Sequence, residues 1–187
     1  MNSMKTLVCI NIIVFFLVLN SCFKRCPPFD RSLTAWIPYN ISDTIKLISN
    51  MNDSILFIVE SVSITDDPET TRYGCSSNMS LRATNDTDKS NYIRQEIYYA
   101  GERSIDFLTS MYFNNNGGEL SIQRNINKEV LLEMTLDGNH YRNVLVFQRD
   151  TIKRQTAAGY YWKLIVVKDI GIVKLYEKDT GVEWSIF

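Results

Sequence analysis

The residues in this chain that could act as nucleophiles, bases or metal ligands are few. Cysteine occurs four times (Cys9, Cys22, Cys26 and Cys75) and histidine once, at His140. A cysteine hydrolase needs a neighbouring base to hold the thiol as thiolate. His140 lies in "LDGNHY", two residues past the Asp137-Gly138 turn, where an exposed turn residue is expected rather than a base. With a single histidine, Ser-His-Asp and Cys-His arrangements and histidine-rich metal sites are all disfavoured. Gly117-Gly118 reads as part of a hairpin, not as a phosphate loop between strand and helix. "DDPE" at 66–69 and "NDTD" at 85–88 offer carboxylates suited to Ca²⁺, but neither has the spacing of a calcium loop, so both read as solvated turns. No carboxylate pair is singled out for sugar hydrolysis. The expectation is a non-enzymatic protein with no cofactor and no metal.

Aromatic side chains are the remaining candidates for a site. Tyr160-Tyr161-Trp162, Tyr98-Tyr99 and Tyr112-Phe113 put rings on both faces of their segments. Rings standing on a sheet face stack on sugars or other flat ligands, and they also build cores. Tyr160, Tyr161 and Trp162 are the candidate binding platform, with core packing as the competing reading. Cys26 and Cys75 form a candidate disulfide, which would stabilise the fold by roughly 4 kcal/mol in the chain-entropy model. The other reading is one buried thiol and one exposed thiol.

The elements that would carry these residues begin with a short apolar run. Lys5 is followed by Leu7 to Leu19, apolar except for Asn11. A positive start before a short apolar stretch is the layout of a secretory signal. The run falls short of the roughly 20 apolar residues of a spanning helix. An ordinary cleavage after Ser21 would place Leu19 at a position that wants a small residue. Leu19-Asn20-Ser21-Cys22 instead resembles the lipobox of bacterial lipoproteins. The resemblance implies removal of residues 1–21 and acylation of Cys22, with palmitate-like chains that anchor the protein to a membrane. A soluble secreted protein and a signal anchor are the alternatives. Residues 22–33 would then be a lipidated tether and 34–187 a single domain.

The chain of 187 residues carries a net charge of −1. No basic excess points to nucleic acid. Beyond the signal the chain reads as strand after strand. Val130 to Leu136 alternates apolar and polar residues, Asp137-Gly138 is a strong hairpin signal, and Tyr141 to Gln148 returns with Tyr141, Leu145 and Phe147 on one face. Further strands are expected at Ser54–Ile64, Tyr92–Tyr99, Ile105–Phe113, Leu120–Ile126 and Tyr160–Val167. "GIVKLYEKDTGVEW" is a closing hairpin that turns at Asp179-Thr180-Gly181 and carries Val173 and Leu175 on one face. Residues 66–91 read as a polar excursion with one short strand. No stretch past the signal has helical period. The fold class is therefore all-β, an antiparallel β-sandwich or half-barrel following a cleaved N-terminal signal helix.

The lipobox, "WIPY" with an Asp43-Thr44 strand after it, "DGNHYRNVLVF", and the ending "GYYWKLIVVKDIGIVKLYEKDTGVEWSIF" together resemble small envelope lipoproteins of Bacteroidota. Gly171, Lys174 and Trp184 match that family's closing motif, while Asp169 and Ile170 stand where another glycine is common. The likeness implies a cell-envelope protein on the outer membrane, facing either the periplasm or the cell surface. Surface export in that phylum goes with acidic residues after the lipidated cysteine, and here Phe23-Lys24-Arg25 follows instead. Two functions remain in view. One is an accessory module that binds an envelope protein or glycan; the other is a periplasmic carrier whose half-barrel cavity shelters a lipid or lipoprotein acyl chain.

Overall fold

A computed structural model describes residues 27–66, 70–71, 74–75, 77–99, 104–113, 118–129, 131–148, 161–177 and 180–186. The signal, Cys22, Cys26 and Tyr160 lie outside the described residues. Thirteen strands follow one another: β1 Thr44–Ser49, β2 Ser54–Thr65, β3 Thr70–Thr71, β4 Gly74–Cys75, β5 Asn78–Asn85, β6 Tyr92–Tyr99, β7 Ile105–Phe113, β8 Gly118–Asn125, β9 Leu132–Leu136, β10 Asn139–Gln148, β11 Tyr161–Val167, β12 Gly171–Glu177 and β13 Glu183–Ile186. Two short 3-10 segments, Arg31–Trp36 and Ile126–Lys128, accompany them.

Eleven strands form one antiparallel sheet in the order β8-β7-β6-β5-β2-β1-β13-β12-β11-β10-β9, and β3 and β4 make a separate small hairpin. Strands β8 and β9 are consecutive in the chain yet lie at opposite edges. In a flat sheet they would stand ~47 Å apart. The connection from Asn125 to Leu132 can span at most about 25 Å. The sheet must therefore curl. Arg124 Nη2 on β8 donates to the Gln148 carbonyl on β10 (2.8 Å), and the Phe107 and Phe147 rings meet edge to face at 5.1 Å. The result is a half-barrel, as the all-β reading expected.

Period-two alternation fills the concave side. Ile45, Leu47, Phe57, Val59, Leu81, Ile93, Ile97, Phe107, Met111, Phe147, Leu164 and Leu175 are all buried there in one cluster. Residues 29–39 bridge the two walls of the half-barrel. Asp30 caps the 3-10 helix by accepting from Ser32 N–H (2.9 Å), and that bond holds the Asp30 carboxyl below its usual range. On one wall Phe29 N–H donates to Asp66 (2.9 Å) and Asp30 N–H to the Tyr99 hydroxyl (3.2 Å). On the other, Asp169 N–H donates to the Ala35 carbonyl (2.6 Å) and Ile172 N–H to the Tyr39 hydroxyl (2.8 Å). Phe29, Leu33, Trp36 and Ile37 are buried in the main core.

Two bulges redirect side chains. Asn143, at φ 55, breaks the β9–β10 register between Tyr141 and Val144. Leu145 and Phe147 face the main core, whereas Tyr141 joins Val144 and Val146 on a second cluster, so Tyr141 does not share their face. A second irregularity, between Ile165 and Val166, leaves Val173 unpaired. Val173 then packs in the second cluster while Ile172 and Leu175 enter the main one, which separates Val173 from Leu175. In that cluster Val144, Ile165, Val167 and Val173 lie on the convex side, covered by Met134, Leu136 and Tyr141 of the β9–β10 hairpin. Lys174 Nζ pins the hairpin turn through Asp137 Oδ1 and reaches Glu183 Oε2, each at 2.8 Å.

Within 66–91, Asn78–Asn85 is a full strand and not part of a polar excursion. β5 lies within the sheet between β2 and β6, and Met79, Leu81 and Ala83 are buried. Its polar appearance comes from Ser80, Arg82 and Thr84, which belong to the outer face. In "NDTD", Asn85 Oδ1 accepts from Thr87 N–H (3.0 Å) and Asp88 N–H (2.8 Å), a self-satisfied turn.

Candidate functional site

A side-chain array that combines rings, cations and hydroxyls lies on the convex face of β2 and β5–β8. Antiparallel register sets it out in rows. One row runs Ser61, Arg82, Arg94, Ser110, Ser121 across the five strands. Beside it run Thr84, Tyr92, Tyr112 on one flank and Ser63, Ser80, Glu96, Leu108, Gln123 on the other. Tyr92 and Tyr112 stack with centroids 5.7 Å apart and planes 18° from parallel, and the Arg82 guanidinium sits 5.0 Å over Tyr92.

A register shift between Val59 and Ser61 places Glu60 at a bulge in β2. Glu60 accepts from the Thr84 hydroxyl (2.6 Å) and lies 3.8 Å from Arg82 Nε. Arg94 Nη2 pairs with Glu96 Oε2 at 2.9 Å. Arg82 and Arg94 stand directly opposite each other, an arrangement that repels. Their side chains are 51% and 55% exposed, so the ion pairs they make are worth little and exchange readily for a better acceptor. Two guanidinium forks can grip a carboxylate or phosphate, stacked rings offer a flat apolar surface to a sugar, and the serine hydroxyls can bond its hydroxyls.

Of the residues singled out in the sequence, Tyr112 stands on this face and Tyr98 lies half-buried beside Asp106, its hydroxyl pKa raised mainly by burial. Tyr99 turns inward, donating to the Pro28 carbonyl at 3.4 Å. Only the backbone of Tyr161 and Trp162 is placed, in β11, so the proposed platform with Tyr160 lies outside the described side chains. Cys75 is placed by backbone in β4, opposite Thr70. His140 is exposed on β10, 3.7 Å from Glu133, away from this face. Sequence reasoning missed Arg82, Arg94 and Tyr92. The i, i+2 spacing of Tyr92 and Arg94 was visible, but the register that unites them with Arg82 was not. Among the described residues no three His, Cys, Asp or Glu side chains gather as a metal site, and no helix is long and apolar enough to cross a membrane. Compared with protein-family models, with curated proteins and with solved structures, the chain matches none.

Proposed function

We propose that the protein is a membrane-anchored bacterial envelope lipoprotein, held by acyl chains on Cys22, whose body is a non-enzymatic binding module. Its ligand is an acidic glycan of the envelope, taken on the convex face of β5–β8. The anchor rests on Lys5, the short apolar run and the Leu19–Cys22 lipobox. The likeness to Bacteroidota lipoproteins favours the outer membrane. One observation carries the binding reading: the Tyr92–Tyr112 stack and two opposed arginines stand on an open face, while side chains such as Phe57, Phe107 and Phe147, each 0% exposed, fill the concave side. A recognition face needs a rigid support, and a packed core supplies it.

The test is binding to an immobilised panel of neutral and acidic envelope glycans. Wild type should be retained by uronate- or phosphate-bearing glycans, with retention falling as salt rises. Tyr112→Ala and Arg94→Ser should lose that retention while keeping the parental melting profile. Equal retention of both variants would remove the face from recognition. The half-barrel shape is also compatible with the second reading, an acyl-chain carrier, but the filled concave side favours the first.

A further inference from the structure

Among the described residues, large apolar side chains are exposed at Ile41, Met51, Leu131, Leu132 and Ile170, each by 41–61%. Scattered singly, such residues need no explanation. Four of the five are not scattered. Leu132 on β9 stands opposite Val144 on β10, Val144 opposite Val167 on β11, and Val167 opposite Gly171 on β12. That row ends at Tyr39, whose hydroxyl accepts from Ile172 N–H. Leu131 adjoins Leu132, Ile170 adjoins Gly171, and Ile41 is two residues past Tyr39. The four therefore line one rim of the half-barrel, where Leu132 and Gly171 stand three strands, or roughly 14 Å, apart. Met51 sits at the other end, in the β1–β2 turn, where Asn50 Nδ2 donates to the Gly181 carbonyl (3.0 Å).

The N-terminal segment joins the body at the same end. Residues 29–39 cross that end, from Asp66 and Tyr99 on one wall to Asp169 and Ile172 on the other. Just upstream, the Pro27 carbonyl accepts from Ser77 Oγ and the Pro28 carbonyl from the Tyr99 hydroxyl. Cys22 lies five residues before Pro27, so acyl chains on it keep Pro27 within about 18 Å of the bilayer. Held that close, the rim needs little affinity of its own, because the anchor turns contact into an intramolecular event. Charge contributes little: Arg31 is paired with Asp66 at 2.6 Å, and Lys168 adjoins Asp169. The attraction must come from the apolar side chains.

We propose that this rim docks on the lipid bilayer, with Ile41, Leu131, Leu132 and Ile170 in the boundary between headgroups and acyl chains. Moving one such side chain out of water favours contact by about tenfold or more. Four on one rim, next to the anchor, are enough to fix how the domain stands. Because the rim is made of strand ends, the sheet rises from the membrane and its convex face stays open at the side. The proposal rests on the anchor reading and adds an orientation to it; it is independent of the glycan.

The acylated protein, purified from bacterial membranes, is reconstituted in vesicles of phosphatidylethanolamine and phosphatidylglycerol that contain a diazirine-bearing phospholipid. Cross-linked peptides are then mapped by mass spectrometry. Cross-links are expected on Ile41, Leu131, Leu132 or Ile170, and not on Met51. The quadruple variant Ile41→Ser, Leu131→Ser, Leu132→Ser, Ile170→Ser should float with the vesicles and melt like the parent, because anchor and core are intact. It should lose about tenfold or more of the cross-linking. Tyr112→Ala, off the rim, should label like wild type. A wild type that does not float with the vesicles would overturn the anchor and the docking together. A wild type that floats but cross-links through Met51 or evenly over its surface would overturn the docking alone. So would a rim covered by a second copy of the chain, or a quadruple variant labelled like the parent.

Discussion

Gly171→Ala is the single methyl group to which this fold should be most sensitive. Gly171 has φ +89, and a Cβ built there would lie 2.3 Å from the Tyr39 hydroxyl oxygen, 2.5 Å from Cζ and 2.8 Å from Cε2. Two costs follow. Holding alanine in the left-handed region costs roughly 1–2 kcal/mol. The ring must also leave, which breaks the 2.8 Å bond from Ile172 N–H to the Tyr39 hydroxyl. Ile172 is 0% exposed. Orphaning its N–H costs about 1–3 kcal/mol more. The total of about 2–5 kcal/mol is a large share of the ~5–15 kcal/mol that holds a domain together. Removing the ring should remove the second cost. In a Tyr39→Ala background, itself strongly destabilised, Gly171→Ala should cost only about 1–2 kcal/mol. Denaturant unfolding followed by tryptophan fluorescence on all four proteins gives the coupling. Two substitutions that add to within ~0.5 kcal/mol would refute the clash and the strap it secures.

Three further outcomes follow from the same contacts. Burial pushes the Tyr39 hydroxyl up to about 12. A folded-state value above the unfolded one gives stability that is intact below pH ~10 and lost as pH rises toward 12, up to roughly 2–3 kcal/mol. The fall in stability over that window should therefore be smaller in Tyr39→Phe, and an equal fall would contradict the burial. Trp184 is 7% exposed in the main core and donates to Glu177 Oε1 at 2.9 Å. Trp184→Ala should cost about 3–5 kcal/mol in thermal unfolding, while His140→Ala, on an exposed side chain, should change little. A parental melt with lost glycan binding would instead make Trp184 a recognition residue. Ser77 Oγ donates to the Pro27 carbonyl at 3.1 Å, which joins a position next to Cys26 in the chain to one two residues past Cys75. Non-reducing peptide mapping should recover the two cysteines as one linked species, and free alkylation of both would remove the disulfide.

What the sequence disclosed followed period two wherever one face was apolar and the other mixed. β6, β7 and the Asp137-Gly138 hairpin were readable for that reason. β5 was masked because Ser80, Arg82 and Thr84 dominate its appearance, although Met79, Leu81 and Ala83 keep the alternation. Bulges defeat the method in a different way. One extra residue moves every later side chain to the other face, so Tyr141 and Val173 could not be assigned from spacing. The 3-10 segment Arg31–Trp36 is too short for a periodic signal. Of the convex face, Tyr112 was visible as a ring on a strand. Arg82 and Arg94 become one feature only when β5 and β6 pair in the observed register, a long-range choice that neither segment encodes alone.

The central claim is that Cys22 carries lipid and holds this half-barrel at the envelope. Growth of cells expressing the full chain with radiolabelled palmitate, followed by gel analysis, tests it most directly. Wild type should run as a shortened, labelled species, because the Leu19–Cys22 segment suits acylation and Leu19 does not suit simple secretion. Cys22→Ser should accumulate as an unlabelled, uncut precursor. Label on Cys22→Ser equal to that on wild type, or a wild type that is cut but carries no label, would contradict the account.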